Sequence, residues 1–174
     1  MIEYRPFQNR DLPQLVRLWH ECGLGRGAAR GFRYEAFDRL VIGQHYFDPL
    51  GLIVACDQGR QIGFVHAGFR SNSNESWVDS ALGAICVVMI DQAHRRQGIG
   101  RELVSRAEAY LRELGASSIQ AGAAPPCDPF YLGLYGGAQL SGFLDSDPAS
   151  APFFTALGYQ PAESFAVLQR NLSV

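Results

Sequence analysis

Leu82-Gly83-Ala84-Ile85-Cys86-Val87-Val88-Met89-Ile90 runs, after three residues, into His94-Arg95-Arg96-Gln97-Gly98-Ile99-Gly100-Arg101. The first stretch is a continuous apolar run of strand length, which predicts a strand buried on both faces. Ile99, Leu103, Val104, Ala107, Leu111 and Leu114 then recur at helical spacing, and Gly115 ends the pattern. A strand that enters a glycine-rich turn and then a helix exposes consecutive backbone N–H groups. It also aims the positive end of the helix dipole at whatever lies there. Gly98 and Gly100 let the chain bend tightly and let phosphate oxygens approach the backbone, and three arginines flank them. The pattern reads as a pyrophosphate site. It is not the dinucleotide fingerprint, because the third glycine would fall on Leu103.

Elements of matching type surround this unit. Ile2 to Phe7 alternates as a half-buried strand. Asp11, with Gln14 as capping-box partner, opens a helix through Leu12, Leu15, Val16, Trp19 and Cys22 that stops at Gly23. Residues 23–33 read as loop and Tyr34 to Ile42 as a short second helix. Leu52 to Cys56 and Gln61 to Phe69 read as a hairpin joined by Asp57-Gln58-Gly59-Arg60, and 70–76 as loop. Ser118 to Ala123 is the next strand, Asp147-Pro148 opens a helix that ends at Gly158, and Phe165 to Leu172 closes as a strand. The stretch Pro125 to Ser146 is long and lacks a periodic pattern, as binding segments often do. The order βα(α)βββαβαβ is that of one α/β domain over residues 1–174 with a mixed sheet.

Composition narrows the chemistry. The chain has 174 residues and a formal net charge of −2, so a dedicated nucleic-acid partner is not expected. All 15 basic residues are Arg, which removes any Walker A loop and any pyridoxal-phosphate Schiff base. Cys22, Cys56, Cys86 and Cys127 are scattered and form no CxxC pair, the usage of reduced core thiols. No secretory leader and no apolar run of membrane length is seen, which predicts a cytoplasmic protein without a membrane partner. His20, His45, His66 and His94 are too dispersed for a metal motif, and no GxSxG elbow occurs.

Arg95-x-x-Gly98-x-Gly100 after a buried strand resembles the acetyl-CoA signature of the GNAT N-acetyltransferases. Asp11-Leu12-Pro13 suits that family's first helix, and Leu157-Gly158-Tyr159 is similar to the Leu-Gly-Phe that ends its last one. The resemblance covers nearly the whole chain and implies a GNAT-like α/β fold, a mixed, mostly antiparallel sheet of six or seven strands flanked by three to four helices, with acetyl-CoA as cosubstrate. It implies direct attack by an amine acceptor in a ternary complex, and a homodimer as the expected assembly. It places the pantetheine arm on the backbone of Val88, Met89 and Ile90 and the pyrophosphate on Arg95, Arg96, Gln97, Gly98, Ile99, Gly100 and Arg101. A backbone N–H where the sheet splays would polarise the acetyl carbonyl.

Two departures are informative. Many members carry a proton-donating Tyr where this chain has Phe154, and an Asn seven residues earlier, where it has Asp147. Others use a Glu as general base at the position of Ala84. Tyr131 and Tyr135 are the best replacement acids, against a bland role in walling a pocket. Asp79 and Glu75 are candidate bases through water, against a role as solvated loop carboxylates; His66 reads as a structural strand histidine, and a Cys86–His66 nucleophile pair is disfavoured. An amine of pKa about 10.4 is only about 0.04% neutral at pH 7, whereas one near 7.7–8.0 is roughly 10–20% neutral. A chain lacking a strong base therefore favours acceptors of low pKa. A CoA-responsive regulatory module that lost turnover is the alternative, and a purely structural arginine-rich turn is a third reading.

Overall fold

The computed structural model describes residues 1–24, 31–71, 76–124, 127–131, 143, 147–162 and 164. Five strands form one sheet in the order β1-β2-β3-β4-β5: β1 (Glu3–Pro6), β2 (Leu52–Asp57), β3 (Arg60–Gly68), β4 (Leu82–Ile90) and β5 (Ser118–Ala121). The first four are antiparallel neighbours, and β5 lies parallel to β4. Helix α3 (Ile99–Glu113) makes the crossover that a parallel pair requires. The fold is an open α/β sheet flanked by helices. The C-terminal strand expected over Phe165 to Leu172 lies outside the described residues.

Both faces of the sheet are covered, which explains why β4 reads as an unbroken apolar run and why β3 is buried along nearly its whole length. One face packs against α1 (Leu12–Glu21) and α2 (Tyr34–Phe37, continued by a π-helical turn over Asp38–Ile42), through Leu15, Leu18, Trp19, Phe37 and Val41. The other packs against Ile99, Leu103, Val104, Ala107 and Leu111 of α3, joined by Phe154 of α4 (Ser150–Thr155). Gln58 and Gly59 both take positive φ, +48° and +80°, in the expected β2–β3 hairpin turn.

Two helix starts differ from the sequence reading. Asp11 precedes α1 but does not cap it: its carboxylate is buried and accepts two hydrogen bonds from Arg5 (2.6 and 2.8 Å), one from Gln61 Nε2 (2.6 Å) and one from the Gln8 N–H (2.8 Å). Desolvation pushes this carboxyl up, but the Arg5 hydrogen bonds and charge and the Gln8 N–H outweigh it and hold it below the usual range. Asp147 accepts from the Ala149 N–H (3.1 Å) in a turn ahead of α4, which therefore starts at Ser150 rather than Pro148. The stop at Gly158 is as expected. Its N–H bonds Thr155 O, the Tyr159 N–H bonds Phe154 O, and φ of +92° needs glycine.

Candidate functional site

The site begins where two strands part. β4 and β5 pair from Leu82↔Ser118 to Ile85↔Ala121, and the Gly122 N–H bonds Ile85 O as the last rung. Just beyond, the β3–β4 register slips: Ala67 faces Ile85 but His66 faces Val87, so Cys86 is an extra residue, a β-bulge. Cys86 and Val87 accordingly pack on the same face, that of α1. The bulge resets which main-chain groups face which neighbour. The Asp91 N–H bonds Ile62 O. With Val87 opposite His66 and Met89 opposite Phe64, the rungs to β3 therefore belong to Val87, Met89 and Asp91. Val88 and Ile90 direct their N–H and C=O groups to the edge that β5 has left. The expectation that Met89 also offers its main chain there is corrected by this phase, because its groups serve β3.

At the far end of that edge the chain turns into α3. Asp91 Oδ1 accepts from the Ala93 N–H (3.0 Å) and closes a 3-10 turn over Gln92–His94. Arg96 (φ +63°) and Gly98 (φ +82°) are both left-handed, and Gly98 is the N-cap of α3 with no side-chain cap. The first backbone bond of α3 runs from the Glu102 N–H to Gly98 O (3.1 Å), so the first-turn N–H groups of Ile99, Gly100 and Arg101 have no intrahelical acceptor. A Cβ on Gly98 would meet nothing within 4 Å, whereas one on Gly100 would press Phe153 of α4 at 3.2 Å. One glycine keeps the loop open; the other lets α4 dock against the helix start.

Arg95 is a strut. Its Nε donates to Ile90 O (3.2 Å) and its Nη2 to Cys22 O, fastening the end of α1 to the end of β4. Gln92 Nε2 adds a bond to Glu21 O (3.1 Å). The side chains of Arg96 and Arg101 are the ones left to meet an anion.

The bulge end of the edge is largely aromatic. His66 is fully buried, and its Nδ1 lies 2.9 Å from the Tyr131 hydroxyl, while its Nε2 has no partner. Tyr131 is 2% exposed and held at φ +67°. Its ring stacks on Trp19 (6.0 Å between centroids) and meets Phe37 edge-on (5.9 Å). Burial lowers the His66 pKa to about 3 and raises that of Tyr131 well above the usual phenol range. The Tyr131 phenol and the Phe130 main chain lie near Cys86, whose thiol burial pushes up and whose Sγ donates to Ala84 O (3.7 Å). A Cys86–His66 nucleophile pair is therefore absent. All four cysteines are free and buried, as expected of core thiols.

The remaining candidates scatter. Asp79 lies ahead of β4, at the end away from the loop; its Oδ2 faces Arg70 (3.9 Å) and its Oδ1 accepts from the Ala81 N–H (3.3 Å). Tyr135 and Glu75 lie outside the described residues. Phe154 sits among Phe143, Phe153 and Tyr159 on the α3 face, with no polar group to offer. Among the described residues no cluster of three or more His, Cys, Asp or Glu side chains could hold a metal, and no helix is long and apolar enough to cross a membrane. The bulge and the His66–Tyr131 bond were invisible in the sequence, since Ala84 to Met89 is apolar throughout and shows no break in alternation.

Comparison with known proteins agrees with this geometry. A mycothiol acetyltransferase from Propionibacterium freudenreichii subsp. shermanii is 29% identical over 114 residues, which cover 65% of this chain and 35% of that protein. The match thus spans about a third of that relative's length. Over 98% of its length the chain superposes on all of a transcriptional regulator from Bacillus halodurans C-125, with a TM-score of 0.66 and 22% identity. It likewise superposes over 98% of its length on 99% of AAC(6')-Iy in complex with the bisubstrate analog CoA-S-monomethyl-acetylneamine (TM-score 0.64, 14% identity). The GNAT acetyltransferase profile matches residues 12–136. With the β4–β5 gap and the open start of α3, this match establishes that the chain belongs to the acetyltransferase (GNAT) family, whose cosubstrate is acetyl-CoA.

Proposed function

We propose that this chain is an N-acetyltransferase that moves an acetyl group from acetyl-CoA to an amine by direct attack in a ternary complex. The observation that carries the reading is the parting of β4 and β5 beyond Ile85, continuous with the uncapped first turn of α3. The N–H groups of Gln97, Gly98, Ile99, Gly100 and Arg101 take the pyrophosphate, with the Arg96 and Arg101 side chains beside them and Arg95 bracing the turn. The freed main-chain groups of Val88 and the N–H of Ile90, whose carbonyl Arg95 already holds, take the pantetheine arm as an added strand would. From Ile90 back to Cys86 is about 13 Å of strand, which brings the thioester to the bulge.

At the bulge Tyr131 is the proton donor to the leaving thiolate in place of the missing tyrosine at Phe154. No carboxylate replaces Ala84, so the acceptor reaches the site as a neutral amine. AAC(6')-Iy is an aminoglycoside N-acetyltransferase, and small polar polyamines are the acceptor class to test first. The test is amine-dependent thiol release from acetyl-CoA across polyamines, aminoglycosides, amino acids and peptide N-termini. Turnover on at least one amine, with binding of CoA, is expected. Tight CoA binding without turnover on any amine would favour a regulatory module, a reading to which the apolar setting of Phe154 lends weight; no CoA binding would overturn both.

A further inference from the structure

His66 Nε2 is one of four buried side-chain polar atoms of the described residues without a partner, and its ring is fully enclosed. Phe130 lies over the imidazole at 4.3 Å and Phe47 meets it at 5.6 Å, so the ring is held by aromatic neighbours on two sides. Its other nitrogen meets the Tyr131 hydroxyl. Register places the pair at the bulge, because His66 faces Val87. Tyr131 is held in a left-handed backbone conformation that a bulky residue rarely adopts, the kind of strain found where surroundings over-determine a functional side chain. Pro129, two residues earlier, is anchored by the Tyr46 hydroxyl on its carbonyl (2.8 Å).

A neutral imidazole carries one N–H, and the two tautomers differ in what they strand. A proton on Nε2 leaves a buried donor with no acceptor, the rarer kind of orphan. A proton on Nδ1 leaves only a bare lone pair at Nε2 and gives the N–H an acceptor in Tyr131. The phenol oxygen then receives a hydrogen bond and keeps its own hydrogen free to point elsewhere. We propose that His66 is a positioning residue for acetyl transfer: its Nδ1–H donates to the Tyr131 oxygen, turns the phenol hydrogen toward the parted edge of β4, and steadies that oxygen as the hydrogen passes to the departing thiolate.

The proposal rests on the acetyltransferase reading above, and its step balances. The amine nitrogen forms the bond to the acetyl carbon, the C–S bond breaks with its pair on sulfur, and sulfur takes the Tyr131 proton. The phenol oxygen recovers a proton from the nitrogen, which sheds one on becoming an amide. His66 exchanges no proton at any point. The depressed basicity that burial imposes on it suits a neutral donor rather than a base at neutral pH.

Two measurements test this. In 15N-labelled wild-type protein the His66 imidazole, assigned by its loss in His66→Asn, should show a protonated Nδ1 and a bare Nε2; the opposite tautomer would overturn the proposal without touching the acetyltransferase reading. In steady-state kinetics His66→Asn, whose amide N–H can replace Nδ1–H, should stay within threefold of wild-type kcat. His66→Leu should lose at least thirtyfold in kcat at unchanged KM for acetyl-CoA, and the two should be indistinguishable in a Tyr131→Phe background. Equal kcat for the Leu and Asn variants, with wild-type turnover intact, would also overturn it alone. Absence of amine-dependent thiol release by the wild type would overturn the function and the proposal together.

Discussion

Gly98 offers the sharpest test of the pyrophosphate loop, because its two physical roles can be separated. Its φ of +82° puts it in the left-handed region, where an ordinary L-residue pays about 1–2 kcal/mol and Asn pays less. A side chain there meets no protein atom within 4 Å, so crowding inside the protein adds nothing. Gly59 is a matched control: φ is +80°, nothing lies within 4 Å, and it sits in the β2–β3 hairpin turn. Gly98→Val and Gly59→Val should each lower Tm, by about 2–4 °C per kcal/mol in a domain of this size. Only the Gly98 variant should also lose CoA, because its side chain fills space that the pyrophosphate needs beside the first-turn N–H groups. Gly98→Asn, which tolerates the backbone, should keep near-wild-type Tm yet weaken CoA binding at least tenfold, or about 1.4 kcal/mol, by calorimetry. Unchanged CoA affinity in a folded Gly98→Asn, or equal losses from the Gly98 and Gly59 valines, would refute the loop assignment.

Three further outcomes are expected. His66 stays neutral when folded, its pKa lowered by burial to about 3, while an unfolded histidine titrates near 6.5. Its contribution to stability is therefore complete above about pH 6.5 and is lost as pH falls toward 3. The loss reaches about 2 kcal/mol at pH 5, and urea unfolding at pH 7 and 5 should show that difference shrink in His66→Asn; an identical pH slope would contradict it. Arg95→Ala should cost about 1.5–3 kcal/mol by leaving Ile90 O and Cys22 O without their charged donor, and wild-type stability in that variant would remove the strut. Among similar acceptors, kcat/KM near pH 7 should rise as amine pKa falls, and each profile should climb to its own amine's pKa. A plateau near pH 6.5 with a high-pKa amine, abolished in Asp79→Asn, would instead identify an enzyme base.

The sequence was most legible where one physical constraint acts alone. The period of Ile99, Leu103, Val104, Ala107 and Leu111 can only be the buried stripe of a helix, and the hairpin was written in Gly59. Legibility failed where two constraints compete for one residue. Asp11 has the right type and place for a helix cap, yet Arg5 and Gln61, drawn in from two strands, claim its carboxylate. The bulge at Cys86 left no trace, because apolar residues satisfy both faces of a covered sheet and a one-residue slip costs no hydrophobic match. Arg95 looked like phosphate-binding charge in the motif. Only the close approach of α1's last carbonyls to β4 gives its guanidinium other work.

The same geometry divides charge across the site. At the α3 end, open N–H groups and the arginine side chains of Arg96 and Arg101 favour an anion. At the bulge burial holds the Cys86 thiol, the Tyr131 phenol and the His66 imidazole neutral, and the Asp128 carboxylate is near enough to help push the Cys86 thiol up. An ammonium entering there would lose its hydration among aromatic side chains, with Asp128 the carboxylate in electrostatic reach of Cys86, and that loss is costly. On the proposed reading, deprotonation before arrival is then the less costly order of events, and the aromatic enclosure that holds His66 and Tyr131 would also sort the acceptor. With Ala84 where a strand carboxylate would serve as base, selectivity for weakly basic amines would, on that same reading, follow from what surrounds the reacting atoms.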